Sequence, residues 1–347
     1  MLAIGGVLWS PALFSDPAEA GTAHGHYGVV AQGDLQEIDY QRMRRGGVGS
    51  VRIRLDRRWV EPERGMRDWT YVDRLVGEAA RNGVELLPFV YGSPNWVAPG
   101  HATPPIRSRT DRAGWRSFLR ALVRRYGHGG SFWTHRASRE PIETWQIWNE
   151  PNLPIYWHPR PAPGDYATLL RISAAAVRGV DPRAEVMLAG LAATHRGIPV
   201  EPFLARLYAE RATRPAFDTA ALHPYAARIG TLMRRVERVR DIMRAFGDRR
   251  TPLAITELGW ASGGPRSHAL VKGPRGQARM LRRSFSSLRR KRRAWSLDRV
   301  NWFAWEDATG SVESICDFCR FAGLFTSNGR AKPAWRAFRR VARADRG

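Results

Sequence analysis

Acid is what this chain is short of: 32 Asp and Glu stand against 56 Lys and Arg, a formal net charge of +24 in 347 residues. Such a field favours anionic partners, an acidic glycan, an anionic cell envelope or nucleic acid, but it sets steering and solubility and cannot name a fold. Cysteine is scarcer still. Cys316 and Cys319 are the whole complement. A single CxxC without an HExxH or a second Cys/His pair cannot assemble a four-ligand zinc site, so a small loop disulfide is expected and no metal or cofactor. No GxGxxG follows the first strand-like run, where Val29-Val30-Ala31-Gln32-Gly33 stands. That absence argues against a dinucleotide-binding, doubly wound sheet. Long apolar runs are missing too. Residues 2–14 are apolar but fall short of the roughly 20 residues that span a bilayer.

What precedes about residue 22 reads as an export segment. The apolar 2–14 stretch is followed by Ala18-Glu19-Ala20, which has the small-x-small form of a cleavage site. We therefore expect 1–22 to be a signal or export segment, residues 23–347 to be the folded part, and the location to be secreted or cell-envelope.

In the remainder, short β-branched or apolar runs alternate with longer amphipathic stretches. Eight strands are expected: 26–30, 50–55, 85–90, 144–148, 186–190, 219–223, 253–256 and 300–305. Helices are expected over 71–82, ending at Gly83; 112–126, ending at Gly127; 164–180, stopped by Asp181-Pro182; 202–210; 232–246; 275–293; and 333–343. Parallel strands need crossover helices, and eight of them close a sheet around a filled interior. The fold class is thus α/β, a (β/α)₈ TIM barrel in a single domain.

In such a barrel the reacting groups lie at the C-terminal ends of the strands. Two carboxylates stand there. The fourth strand runs into Asn149-Glu150-Pro151-Asn152 and the seventh into Glu257-Leu258-Gly259-Trp260. Strands four and seven lie on opposite sides of an eight-membered ring, so Glu150 and Glu257 can face each other across its mouth. Two facing carboxyls suit glycoside hydrolysis, in which one protonates the leaving oxygen and the other attacks or activates water. Each motif alone is weak, since a Glu at a strand end commonly caps a loop or pairs with a cation. The fourteen Trp residues fit sugar binding, because flat rings with a polar edge floor the apolar faces of pyranoses.

Taken together the motifs resemble clan A glycoside hydrolases, and within that clan families 39 and 5. The resemblance rests on Arg54-Leu55-Asp56 with Trp59 and Glu61-Pro62; on Ser93-Pro94-Asn95-Trp96; on Trp148-Asn149-Glu150-Pro151-Asn152; on His223-Pro224-Tyr225; and on Thr256-Glu257 with Gly259-Trp260. It extends to Gly323-Leu324 and Lys332-Pro333-Ala334 and so covers nearly all of 23–347.

The resemblance implies a retaining O-glycosidase with Glu150 as general acid/base and Glu257 as nucleophile. Arg54 is the expected donor to the nucleophile, with Arg52 on the same strand face as the alternative. Asn149 would bind the sugar 2-hydroxyl, Tyr225 would hold the nucleophile, His223 would meet substrate, and Trp305 and Trp96 would be sugar platforms. A carbohydrate substrate is expected, acidic in view of the charge, and a monomer with no membrane span and no specific nucleic-acid partner, since no RNA-binding strand pattern or helix module is present. A different class of answer is a non-catalytic glycan-binding or envelope protein on the same barrel. The run Arg289 to Arg293 reads as a solvated helix end.

Overall fold

A computed structural model describes residues 26–193, 196–309 and 316–346. The expected export segment, 1–22, lies outside the described residues. The elements follow one another as β1 (Tyr27–Val30), α1 (Glu37–Gly46), β2 (Ser50–Asp56), α2 (Arg57–Val60), α3 (Thr70–Asn82), β3 (Glu85–Tyr91), α4 (Arg109–Tyr126), β4 (Thr144–Ile147), α5 (Pro163–Arg178), β5 (Glu185–Leu188), β6 (Leu191–Ala192), α6 (Val200–Ala209), β7 (Ala220–His223), α7 (Ile229–Ala245), β8 (Leu253–Leu258), α8 (Gly273–Trp295), β9 (Leu297–Phe303) and α9 (Pro333–Arg346).

The strands form one sheet in the order β5-β4-β3-β2-β1-β9-β8-β7-β6, and every pairing is parallel. The ring closes where Met187 of β5 bridges Thr219 and the Leu188 N–H donates to the Thr219 carbonyl at 2.9 Å. β5 and β6 are therefore two pieces of one stave, and the molecule is a (β/α)₈ barrel as expected. The expected strand 186–190 is interrupted at Ala189-Gly190, and position 190 has no room for a side chain. A side chain at Gly190 would place its Cβ 2.0 Å from His223 Nε2.

Side chains alternate across each stave, so one set points into the barrel and the other packs under the helices. Near the bottom the interior is apolar and small, with Leu87, Met187, Ala221 and Ala254 buried together. One layer higher the same faces carry Arg52 and Gln146, both fully buried. The interior thus turns from apolar to charged toward the strand ends, where the site lies. Outside, Trp115, Trp145, Trp302 and Trp335 fill the strand-to-helix layer. Trp115 donates to Ser173 Oγ at 2.8 Å, which satisfies its one buried polar atom.

Helix ends follow their local chemistry. Ser108 and Asp111 exchange side-chain bonds with each other's backbone N–H and start α4. Gly83 ends α3 in the left-handed region at φ 60°. Gly127 is extended instead, and its smallness answers to Val123, whose carbonyl oxygen would lie 2.8 Å from a Cβ. α1 was not among the expected helices. Its sequence EIDYQRMRRG is mostly polar, and only Tyr40 and Met43 carry its apolar contact with the core.

Candidate active site

β4 ends at Ile147, and the chain then passes through two residues in the left-handed region, Trp148 at φ 74° and Glu150 at φ 41°. Non-glycine residues occupy that region at a cost of about 1–3 kcal/mol each, so the surrounding packing must impose it. Trp148 is fully buried against Tyr91, and its indole N–H donates to the Tyr156 carbonyl at 2.6 Å. Asn152 ties the far side of the turn to the next stave. It donates to the Ala192 and Ile198 carbonyls and accepts from the Ala192 N–H, all within 2.9–3.0 Å. The turn so held aims Glu150 into the barrel mouth.

Across the ring, β8 carries Glu257 next to its last residue, Leu258. Carboxylate oxygens of Glu150 and Glu257 and a ring nitrogen of His223 all lie within 4.8 Å of one another. Two carboxyl groups about 5–5.5 Å apart suit direct nucleophilic attack, whereas a wider gap leaves room for an intervening water.

The two carboxyls have different neighbours. Glu257 accepts from Arg52 Nη1 at 2.5 Å and from the Tyr225 hydroxyl at 2.8 Å. Arg52 also donates from Nε to Gln146 Oε1 at 2.6 Å and from Nη2 to Asn149 Oδ1 at 2.8 Å, and its guanidinium lies 4.0 Å over the Phe89 ring. Burial pushes Arg52 below its usual range, and the charges of Glu257 and Glu150 pull it back up. Glu150, by contrast, accepts from or donates to His223 Nδ1 at 2.6 Å. Burial raises the Glu150 carboxyl to about 8, outweighing the opposing charge of Arg52. Burial likewise lowers His223 to about 3, so its imidazole is neutral at working pH. Tyr225 is raised well above its ordinary value by burial and by the two glutamates, so it remains a donor.

A chain of bonds stands behind Glu150. Arg52 can only donate, which fixes the Gln146 carbonyl toward it and leaves the Gln146 amide to donate to the Leu188 carbonyl at 2.9 Å and to Thr256 Oγ1 at 3.4 Å. Thr256 Oγ1 in turn lies 3.0 Å from His223 Nε2. If the threonine hydroxyl donates to Nε2, the proton of the neutral ring sits on Nδ1 and points at Glu150.

Three expectations need correction. The donor to Glu257 is Arg52. Arg54 instead pairs with Asp56 at 2.6 Å and lies over Trp59 and Tyr91, because it stands one step farther along the strand, above the carboxylates' level. His223 is fully buried behind Glu150, so it meets the carboxyl rather than the open cleft. Trp305 faces away from the cleft: it is 1% exposed, packs on Phe325 and Trp335, and donates to Asp39 of α1 at 3.1 Å. Trp96 lies beside the loop after β2, donating to the Glu61 carbonyl with Arg57 and Arg64 over its ring. Asn149 and Tyr225 do stand beside the paired glutamates.

Sequence reading missed Phe303. In the register of β9 with β1, Asn301 pairs with Gly28 and Phe303 with Val30; Asn301 points inward, as its Oδ1 lies 2.9 Å from where a Gly28 Cβ would be. Phe303, two residues on, shares that face and meets the Tyr225 ring at 6.1 Å. Alternation from Asn301 was the available signal. The cleft wall beside it comes from the loop that Cys316 and Cys319 close by a disulfide, as expected, which sets Phe318 against Tyr225 at 5.5 Å.

Glu150, His223 and Glu257 are also the cluster, among the described residues, that could gather around a metal ion. The donor set fits one poorly. Both Glu257 oxygens and both His223 nitrogens already have partners, and a buried guanidinium contacts Glu257.

No family model and no curated protein matches the sequence. Solved structures do match the fold. A family 39 glycoside hydrolase from the gut symbiont Bacteroides cellulosilyticus aligns over 91% of this chain and 63% of its own, at 19% identity and a TM-score of 0.68. A monomeric β-xylosidase from Caulobacter crescentus aligns over 91% and 67%, at 18% identity and 0.68. A family 5 variant from Bifidobacterium longum, solved with Manβ1-4GlcNAc, aligns over 93% and 79%, at 16% identity and 0.70. The chain therefore spans less than two thirds of the first of these proteins. Its barrel is similar in fold to these glycoside hydrolases of families 39 and 5, the families whose motifs the sequence resembles.

Proposed function

We propose that the protein is a retaining glycoside hydrolase acting on O-glycosidic bonds of an oligo- or polysaccharide. One observation carries this reading: a buried carboxyl and a partly buried one from opposite staves bring oxygens within 4.8 Å, the first raised to about 8 and the second held by a guanidinium and a phenol. The names of its structural relatives, a β-xylosidase and a complex with a mannose-containing disaccharide among them, support the same bond class.

In the first step Glu257 attacks the anomeric carbon while the bond to the leaving oxygen breaks and Glu150 gives that oxygen its proton. Positive charge builds on the sugar ring while Arg52 and Tyr225 hold the Glu257 carboxylate in position. In the second step water attacks the same carbon, Glu150 takes the water proton, and the bond to Glu257 breaks. Glu150 must hold a proton at neutral pH, and burial beside an uncharged imidazole supports that. The Asn149 carbonyl is committed to Arg52, which leaves its amide N–H groups for the sugar 2-hydroxyl. The disulfide and the apolar 2–14 stretch support an exported protein.

The test is substitution on aryl glycosides. Glu257→Gln should lower kcat by about 10³ or more, and Glu150→Gln should spare the first step for leaving groups that need no proton. Product anomers followed by NMR should show retention. A wild-type protein that turns over no member of a β-glycoside panel, yet binds glycans as tightly as both variants do, would make the chain a binding protein on the same barrel.

A further inference from the structure

We propose that the outer face of α8 and α9 is a docking surface for an acidic polysaccharide, carboxylate- or sulfate-bearing, separate from the cleavage site. α8 carries nine Lys and Arg and no Asp or Glu over its 23 residues. Its buried side is Gly276, Gln277, Leu281, Ser284, Phe285, Leu288 and Trp295. The opposite side presents Arg275, Arg279, Arg282, Arg289 and Arg293, all exposed, at intervals of three, four and seven that keep them in one row. At 1.5 Å per residue that row is about 27 Å long. α9 lies alongside, joined through Phe285 and Phe338 and by Arg289 donating to the Ala344 carbonyl at 2.9 Å. It adds exposed Arg336, Arg340 and Arg343.

Several arginines elsewhere on the barrel answer to acids, as Arg74 does to Asp34 and Glu78, Arg125 to Asp73, and Arg178 to Asp218. Arg275, Arg279, Arg282 and Arg293 do not: among the described residues none of the four side chains has an ion pair or a hydrogen bond. Like charges packed this closely repel, and a row of them costs stability unless something anionic offsets it.

The chemistry of the row selects the partner. The large exposed apolar side chains of the described residues are Ile38, Trp59, Met66, Tyr71, Phe246 and Phe321, and none belongs to α8 or α9. The face therefore has no ring on which nucleic-acid bases could stack and no apolar wedge to enter a bilayer. What remains is a linear track of guanidiniums, suited to bidentate contact with successive carboxylates or sulfates along a polymer. The track begins at the barrel mouth, because α8 follows the stave that bears Glu257. A polymer lying on it leads to the cleft. Its role as a substrate feed rests on the glycosidase reading above; its existence as a binding face does not.

The test uses the full chain carrying Glu257→Gln, so that binding is read without cleavage, with polygalacturonate and heparin as probes and neutral xylan as control. One variant replaces the five α8 arginines by Gln. A matched variant replaces Arg107, Arg109, Arg120, Arg124 and Arg139, also exposed, so that net charge falls equally. The row variant should weaken polygalacturonate binding at least about tenfold and the matched variant less than about twofold, with affinity falling steeply as salt rises. In the active protein, the row variant should raise KM on an acidic polymer and leave kcat/KM on a small aryl glycoside unchanged. Equal losses in both variants would reduce the surface to bulk charge. Tighter binding to duplex DNA or to phosphatidylglycerol vesicles at the same salt would overturn the choice of partner, and intact binding by a chain that cleaves nothing would separate this surface from the catalytic proposal.

Discussion

The exits of β4 and β8 each deliver one glutamate to the same opening, yet the protein treats the two groups in opposite ways. At the β8 exit, Glu257 accepts from the Arg52 guanidinium and from the Tyr225 hydroxyl, which fix the aim of its carboxylate. At the β4 exit, Glu150 lies beside a neutral imidazole, and burial favours its protonated form. Identical side chains acquire different chemistry because one stave faces Arg52 directly and the other reaches it only across Asn149. Proton holding and charge holding are divided by neighbours, not by residue type.

The sharpest way to break this asymmetry is to remove the cation. Arg52→Gln should lower kcat by about 10²–10³, whereas Arg54→Gln, two residues along the same face, should cost less than about tenfold; steady-state kinetics on an aryl glycoside reads both. Because Arg52→Gln also leaves buried partners unpaired, Arg52→Lys, which keeps the charge and loses the fork, should fall between them. Equal effects at 52 and 54 would remove the special role assigned to Arg52.

A second test concerns the β4 side alone. The folded-state value of Glu150 lies above its ordinary 4.5, so between about pH 4.5 and 8 the native state binds a proton that the unfolded state has lost, and stability falls as pH rises through that window. Glu150→Gln should therefore raise stability, by about 1–3 kcal/mol at pH 8 and by much less at pH 4.5, in denaturant titrations at the two pH values. His223 works in the other direction. Its folded value lies below the ordinary 6.5, so its contribution is lost as pH falls from 6.5 toward 3. A Glu150→Gln protein whose gain is the same at both pH values would show that the carboxyl is not held protonated. In kinetics, kcat/KM should decline on the alkaline side near pH 8 as Glu150 ionises.

Smaller effects separate the cleft wall from the helix layer behind it. Phe303→Ala should raise KM about tenfold with little change in Tm, while Trp305→Phe should lower Tm by a few degrees and leave KM alone, since Trp305 lies on the α1 side. The smallest effect belongs to Cys316→Ser with Cys319→Ser, because the disulfide they remove closes a loop too short to restrict the unfolded chain much. The double substitution should cost about 1 kcal/mol or less, and any change in KM would report the seating of Phe318 against Tyr225.

Much of this was readable before the structure, and the reasons differ by level. The barrel followed from alternation, since apolar runs of strand length separated by amphipathic stretches of helix length have few other ways to bury their faces. The break in the fifth stave was not readable, nor was the need for glycine at 190, which comes from His223, 33 positions away in the chain. α1 was passed over because its two core residues are diluted by charge. Arg52 and Arg54 share a face, and periodicity distinguishes faces but not depth along the barrel axis. The same ambiguity exchanged Trp305 for Phe303, where the last residues of a stave turn outward.

By itself the order of residues determined that eight staves would alternate with helices and that Glu150 and Glu257 would stand at stave ends, because period and turn chemistry act over a few neighbouring positions. It also determined that α8 would carry cations without acids. Tertiary structure alone decided which arginine reaches Glu257, which carboxyl keeps its proton, and which aromatic ring faces the opening. Those outcomes depend on burial and on partners distant in the chain, and the free energy of a charge is set by what surrounds it in space.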